Sequence, residues 1–193
     1  MISVRREEAV KATGSNKQPS GFEVARAGDV VYVRVTGLGN MSNAPVLKAF
    51  AEKMIEEGFR RFIIDLEHCR GIDSTFMGTL LDVATTAREG DRPKKKALAD
   101  SDPGEPGVLL VNVDDHCRKQ LSSVGLDAFL PIAADRAKLP EGLELRALET
   151  KDVPPQERLK LILRAHQELV AIDQRNEAKF GAFLKDLLAD LGH

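Results

Sequence analysis

The chain has 193 residues, of which 42% are hydrophobic and 30% are charged, and its formal net charge is −2. This length suits one core, because two large domains would each be short of buried surface, so one domain with an extension is expected. The nearly balanced charge gives no overall field that would attract nucleic acid or an anionic membrane. Cys69 and Cys117 stand outside any C-x-x-C pair, so no metal site, cofactor site or disulfide framework is expected.

Neither a membrane segment nor a signal peptide is predicted. No run of residues approaches the roughly 20 apolar residues that span a bilayer. The first residues, MISVRREEAVKATG, lack the apolar core of a secretory signal. A cytoplasmic protein without membrane insertion is therefore expected.

The first elements are predicted to be an arm and a hairpin. Residues 1–19 are polar and broken by Gly14-Ser15-Asn16, which favours a loose arm, with a first strand as the alternative. From Gly21 to Gly37, apolar and polar residues alternate on both sides of a turn at Gly28-Asp29. The pattern predicts a β-hairpin whose second strand is half buried.

The middle of the chain alternates between helical and extended patterns. The predicted elements are, in order, a helix over 43–58, a buried strand over 62–66, a helix ending near Gly90, an exposed excursion over 91–107, a strand over 108–111, a helix from Asp114 or Asp115 to Gly125, and an extended edge segment over 129–132. Right-handed crossovers then give an α/β fold with a mixed, mostly parallel sheet, the antiparallel hairpin at its start and helices packed on it.

The last part of the chain is predicted to be helical. Apolar residues recur at helical spacing in two runs, with Asp173 or Asn176 between them; the first run is Leu159, Ile162, His166, Leu169 and Val170, and the second is Phe180, Phe183, Leu184, Leu187, Leu188 and Leu191. Such amphipathic helices must bury their apolar stripes against the domain, a second copy or a partner. The predicted organisation is an arm over 1–19, a domain over 20–150 and a helical extension over 151–193, with a homodimer through the extension as one option.

The stretch from Asp65 to Gly78 carries the functional signal. It reads DLEHCRGIDSTFMG, a buried strand that ends in a short loop before Asp73-Ser74-Thr75 opens a helix. Taken alone, Asp-Ser-Thr in this position is an ordinary helix N-cap. In its context the stretch resembles the signature of the STAS family, which includes anti-sigma-factor antagonists and the cytoplasmic ends of sulphate transporters. The resemblance covers about residues 20–132.

The resemblance implies a regulatory protein that switches partners and is not an enzyme. It implies phosphorylation of Ser74 by an anti-sigma serine kinase, with Thr75 as the second choice, and reversal by a phosphatase. The implied partner-binding residues are Asp73, Ser74, Thr75, Phe76, Met77 and Gly78. Unphosphorylated Ser74 would permit binding of the kinase, and a phosphoryl group would break the complex.

Several departures keep other functions open. Phe76 and Met77 replace a small residue and Leu of the family pattern, which places a bulky ring beside Ser74 and could alter access of the kinase. A scaffold or adaptor that binds through the helical tail without phosphorylation is the alternative. A hydrolase that uses Asp73 or Ser74 is a third, for which the sequence names no base.

Four other features are interpreted structurally. A packed Cys69 with an exposed His68 is expected, since neighbours along an extended chain point to opposite faces. His166 is interpreted as a boundary residue of its helix, and Lys94-Lys95-Lys96 as a solvated loop. Asp65 lacks the acidic partners of a phosphoaspartate receiver.

Overall fold

A computed structural model describes residues 20–89, 107–149 and 152–192. The predicted arm over 1–19 and nearly all of the predicted excursion over 91–107 lie outside the described residues. Within the described ranges, five strands form one sheet and five α-helices pack around it.

The sheet is mixed. Its strands are β1 (Gly21–Ala27), β2 (Val30–Gly39), β3 (Arg61–Ile72), β4 (Gly107–Val111) and β5 (Arg146–Ala147), in the spatial order β4-β3-β2-β1-β5. β2 pairs in parallel with β3, and β3 with β4, whereas β1 is antiparallel to both β2 and β5. The predicted hairpin and the interior position of the strand at 62–66 are confirmed.

The helices follow the predicted order. They are α1 (Ala44–Glu56), α2 (Ser74–Glu89), α3 (Asp115–Ser123), α4 (Pro155–Ile172) and α5 (Glu177–Asp190). Asp114 caps α3, since its side chain accepts a hydrogen bond of 2.7 Å from the backbone N–H of Cys117. Asp173 caps a short 3₁₀ turn over Gln174–Asn176, which separates α4 from α5 as the sequence predicted.

Two details of the sheet differ from the prediction. The expected edge segment over 129–132 makes only one parallel bridge, between Ile132 and Leu110. Pro131 has no N–H to donate to a ladder, which limits the pairing to this bridge. At the opposite edge, β5 pairs with β1, and two residues are too few to show a periodic pattern in the sequence.

The second strand is more deeply covered than predicted. Val30 through Val33 of β2 are all buried, although only alternate residues were expected to be. The segment after Ile132 lies beside Arg34 of β2 and Asp65 of β3, and the backbone N–H of Ala137 donates to the side chain of Asn112. A loop without periodic pattern therefore supplies cover that hydrophobic alternation could not predict.

The C-terminal helices belong to the same core as the sheet. α4 packs along α2, and α5 packs on α4. Leu169 of α4 is fully buried in the cluster that also contains Leu66 and Leu110 of the sheet. The apolar stripe predicted for the first C-terminal helix is thus buried against the chain's own domain.

Substitution of Phe76 tests how much the packing of the core contributes to stability. Its ring is fully buried, stacks on Phe22 with centroids 6.1 Å apart, and leaves no room for a side chain at Gly39. We expect Phe76→Ala to lower the free energy of unfolding by about 3–5 kcal/mol, because it leaves a large cavity. Urea titration measures this loss. Leu38→Ala, at a side chain that is 43% exposed, is the control and should change stability by less than about 1 kcal/mol.

Candidate functional site at the start of the second helix

Asp73 fixes the start of α2. One carboxylate oxygen, Oδ1, accepts from the backbone N–H of Phe76 at 2.8 Å, which is an N-cap bond. The other, Oδ2, accepts from the N–H of Met41 at 2.8 Å, and the N–H of Asp73 donates to Gly39 at 2.9 Å. These bonds join the loop after β2 to the first turn of α2, and so they hold Ser74 in a defined position.

Ser74 is bonded to a residue far away in the sequence. Its Oγ lies 2.9 Å from Nε2 of His166, in the fourth turn of α4. Nδ1 of the same ring lies 2.8 Å from the carbonyl oxygen of Ile162, and a carbonyl can only accept. Nδ1 therefore carries the proton in the neutral ring, and Nε2 accepts a hydrogen bond donated by the Ser74 hydroxyl.

The imidazole of His166 is enclosed. The residue is only 4% exposed, and the rings of Phe180 and Phe183 meet it edge-on with centroid distances of 4.8 and 5.0 Å. Serine and histidine are the residue types of a nucleophile and its base. Here two phenyl rings cover the imidazole, and the hydrogen bond between the two side chains joins α2 to α4.

α2 and α4 are in close contact beyond this pair. At Gly78 the two backbones meet, and a Cβ there would collide with the carbonyl group of Ala165. One turn further on, the guanidinium of Arg164 pairs with the nearly buried carboxylate of Asp82 at 2.7 Å. The glycine of the sequence motif is therefore the position at which α4 approaches α2 most closely.

The structure divides the predicted partner-binding residues into two groups. Asp73 and Ser74 are half buried and reach the surface, whereas the other four members are buried; these are Thr75, Phe76, Met77 and Gly78. Phe76 does not lie beside Ser74 at the surface, as its size had suggested, because its ring fills the core over Gly39. In this conformation a partner can contact Asp73 and Ser74, whereas Gly78 is covered by α4 and Phe76 is buried against β1 and β2.

Exposed apolar side chains border the site. Among the described residues, the large hydrophobic side chains that are exposed are Leu38, Met41 and Phe183, at 43%, 46% and 43%. Leu38 lies near the end of β2, Met41 lies in the following loop that is bonded to Asp73, and Phe183 contacts His166. We call the exposed parts of Leu38, Met41, Asp73, Ser74 and Phe183 the Ser74 surface.

A groove of about 590 Å³ continues the Ser74 surface from Met41 along the start of α4. Val153, Leu159 and Ile162 supply apolar walls, and Arg158 adds a guanidinium whose Nε is buried without a hydrogen-bond partner. Asp152 adds a carboxylate to the same lining, so the groove combines apolar walls with one charge of each sign.

Other candidates from the sequence have structural roles. Cys69 is buried and His68 exposed, as expected. A hydrogen bond from the Cys117 thiol lowers the pKa of Cys69 to about 7 against the effect of burial, and the same bond and burial raise the pKa of Cys117. Asp65 is buried and accepts hydrogen bonds from Arg34 and Asn112.

The described part of the chain shows neither a metal-binding cluster nor a membrane-spanning helix. No group of three or more His, Cys, Asp or Glu residues there could hold a metal ion. No helix within the same ranges is long and apolar enough to cross a membrane. Lys94-Lys95-Lys96 lies outside the described residues.

The interpretation of His166 as a boundary residue was wrong. The side chain is buried and bonded to Ser74, so it belongs to the site. Its position was the available signal: a histidine inside an apolar stripe must find a hydrogen-bond partner on whatever surface the stripe covers. The sequence does not reveal which surface that is.

Comparison with known proteins gives structural matches only. No protein-family model matches the sequence, and no curated protein matches it. An anti-sigma factor antagonist from Mycobacterium paratuberculosis is 19% identical, with 61% of this chain and 87% of that one covered and a TM-score of 0.46. The anti-sigma factor antagonist SpoIIAA in its unphosphorylated form is 14% identical, with coverage of 59% and 88% and a TM-score of 0.45.

A third match is the Bacillus cell fate determinant SpoIIAA in its phosphorylated form. It is 17% identical, with 59% of this chain and 92% of that one covered and a TM-score of 0.44. The matched proteins bear the class name that the sequence resemblance gave. The fold class itself rests on the strand order and helix placement of this chain, which confirm the predicted mixed sheet, N-terminal hairpin and C-terminal helix pair.

The cap at Asp73 can be tested by substitution. Asp73→Ala removes acceptors for two backbone N–H groups, those of Met41 and Phe76. We expect it to lower the free energy of unfolding by about 1–2 kcal/mol, the usual cost of losing an N-cap. Chemical denaturation measures the change. Asp135→Ala, at an exposed carboxylate, should leave stability within about 0.5 kcal/mol, and an equal loss there would contradict a specific role for Asp73.

Proposed function

We propose that this chain is a regulatory protein-binding module that acts as an anti-sigma-factor antagonist. In this proposal the Ser74 surface binds an anti-sigma serine kinase while Ser74 is unmodified, and phosphorylation of Ser74 breaks the complex. The observation that carries the proposal is the place of Ser74: it is the first residue of α2, it is partly exposed, and exposed apolar side chains border it.

The helix end suits a phosphoryl group. Asp73 already occupies the N–H of Phe76, but the N–H groups of Ser74 and Thr75 at the first turn have no partner within the helix. These groups and the positive end of the helix dipole favour an anion at this position. α2 can therefore remain helical when Ser74 is modified.

The chemical step is an ordinary phosphoryl transfer. The γ-phosphoryl group of ATP passes to Oγ of Ser74, a P–O bond to ADP breaks, and the hydroxyl proton leaves. A phosphatase restores the hydroxyl by transfer of the phosphoryl group to water. Each phosphorylation adds about −1.5 to −2 charges to the Ser74 surface, which imposes a desolvation cost on any apolar contact there.

Phosphorylation can be tested directly. We expect incubation with ATP and the anti-sigma serine kinase of the same organism to add one phosphoryl group to the wild-type chain, measured by intact mass. Ser74→Ala should abolish the addition, whereas Ser42→Ala, at an exposed serine near the same surface, should not. An unmodified wild-type chain, or full modification of Ser74→Ala, would contradict the proposal.

Binding is tested at Met41, the most exposed of the apolar side chains on the Ser74 surface. We expect Met41→Asp to weaken binding of the unphosphorylated chain to the same kinase by about 2 kcal/mol, or roughly 30-fold, as is usual for a central contact residue. Isothermal titration calorimetry measures the change. Arg146→Ala, at an exposed residue on the opposite edge strand, should leave the affinity unchanged within about twofold.

A scaffold role is the second candidate, because Phe183 of α5 is 43% exposed. In that reading the helical extension binds a partner whatever the state of Ser74. Removal of residues 151–193 would strip Leu169 from the core, so a point substitution is the better probe. Binding that is lost in Phe183→Asp and unaffected by phosphorylation of Ser74 would favour the scaffold over the switch.

A further inference from the structure

α4 occupies the face of α2 that begins at Ser74. His166 accepts the hydrogen bond of the Ser74 hydroxyl, and the backbone of Ala165 lies against Gly78. We propose that a phosphoryl group on Ser74 and this closed position of α4 exclude each other, so that phosphorylation opens the helical extension. The inference rests on the proposed function in one respect only, that Ser74 is a site of phosphorylation.

A phosphoryl group on Ser74 would remove the hydrogen bond between Ser74 and His166. Since Nδ1 of His166 donates to the carbonyl of Ile162, Nε2 of the neutral ring requires a donor, and the Ser74 hydroxyl supplies it. A phosphoryl group replaces that O–H with oxygens that only accept. The lone pair of Nε2 would then face acceptors bearing negative charge, and the bond that joins α2 to α4 is lost.

The imidazole of His166 lies in apolar surroundings. Phe180 and Phe183 enclose the imidazole, so a charged imidazolium and a phosphate side by side would both lose hydration in an apolar setting. Arg164, a nearby cation on α4, already pairs with Asp82 at 2.7 Å. The N-terminal end of α2 favours the phosphate, whereas α4, which covers it, opposes the phosphate. Movement of α4 relieves this conflict.

The two ends of α4 differ in how they are attached to the domain. The end of α4 is held firmly: Nδ2 of the buried Asn176 donates to the carbonyls of Val124 and Leu169 at 2.9 and 2.8 Å, and Leu169 is fully buried. The first turns of α4 border the groove beside Met41 instead. Opening is therefore expected over 155–168, with the region from Leu169 to Asn176 as its pivot.

Opening of α4 would change which residues the protein surface presents. When α4 opens, Gly78, against which its backbone packs, becomes accessible together with the apolar stripe of α4, whereas Phe76 stays in the core over Gly39. Coupling is reciprocal, so a ligand that binds the open form also favours phosphorylation of Ser74, and the closed form resists it.

The experiment places phosphoserine at residue 74 of the full chain by genetic encoding and measures hydrogen exchange by mass spectrometry. We expect exchange of the amides in 155–168 to rise by about 5- to 150-fold, the usual range of coupling between two sites. Exchange in β2, β3 and β4 should stay unchanged. Because no kinase is used, this result is independent of whether an anti-sigma serine kinase recognises the chain.

Two matched chains complete the test. Ser74→Ala loses the hydroxyl without adding charge, and its α4 should exchange more slowly than that of the phosphoserine chain. Phosphoserine at the exposed Ser42 places the same charge nearby without touching His166, and α4 should exchange as in the wild type. If the phosphoserine-74 chain cannot be recovered folded, Ser74→Asp replaces it in the same comparison.

Each outcome of the exchange experiment either supports or overturns the inference. Exchange in α4 that is unchanged or slower would overturn the inference, since the phosphate would then be held by His166 or by an arginine of α4. A rise no larger than in Ser74→Ala, an equal rise in the Ser42 chain, or a rise throughout the sheet would overturn it too. Only faster exchange confined to 155–168, and specific to residue 74, supports it.

Discussion

The contact between α2 and α4 determines how the rest of this chain works. Gly78 lets the two backbones touch, and the hydroxyl of Ser74 then meets the imidazole of His166. Any side chain at residue 78 would separate the helices, so the same glycine serves both packing and the site. Ser74 and His166, which are 92 positions apart in the sequence, are thereby joined by one side-chain hydrogen bond.

In the proposed switch, the fold and the Ser74 surface depend on the same residues. Asp73 caps α2 and at the same time anchors the loop that exposes Met41, so the helix end and the binding surface are built together. α4 buries Leu169 in the core, which keeps the extension on the domain, while its first turns border an open groove. A regulated element needs a strong attachment at one end and a weak one at the other, and α4 has both.

The local sequence pattern predicted most of the helices and strands and, at the site, the capping position of Asp73. The alternation around Gly28, the helical spacing in α1 and α2, and the capping residues Asp73 and Asp114 are determined within a few neighbouring residues. The face of α2 under α4 was not predictable, because an amphipathic stripe specifies that it is covered and not by what. The covering of Gly78 and the role of His166 both follow from that long-range choice.

The central claim is that the Ser74 hydroxyl donates to Nε2 of His166 and so holds α4 closed. Long-range ¹⁵N–¹H NMR correlation of the imidazole ring reports its tautomer directly. The account requires the Nδ1–H tautomer, with Nε2 as acceptor, and a change in the Nε2 shift in Ser74→Ala. An Nε2–H tautomer, or a ring whose shifts do not respond to Ser74→Ala, would contradict it.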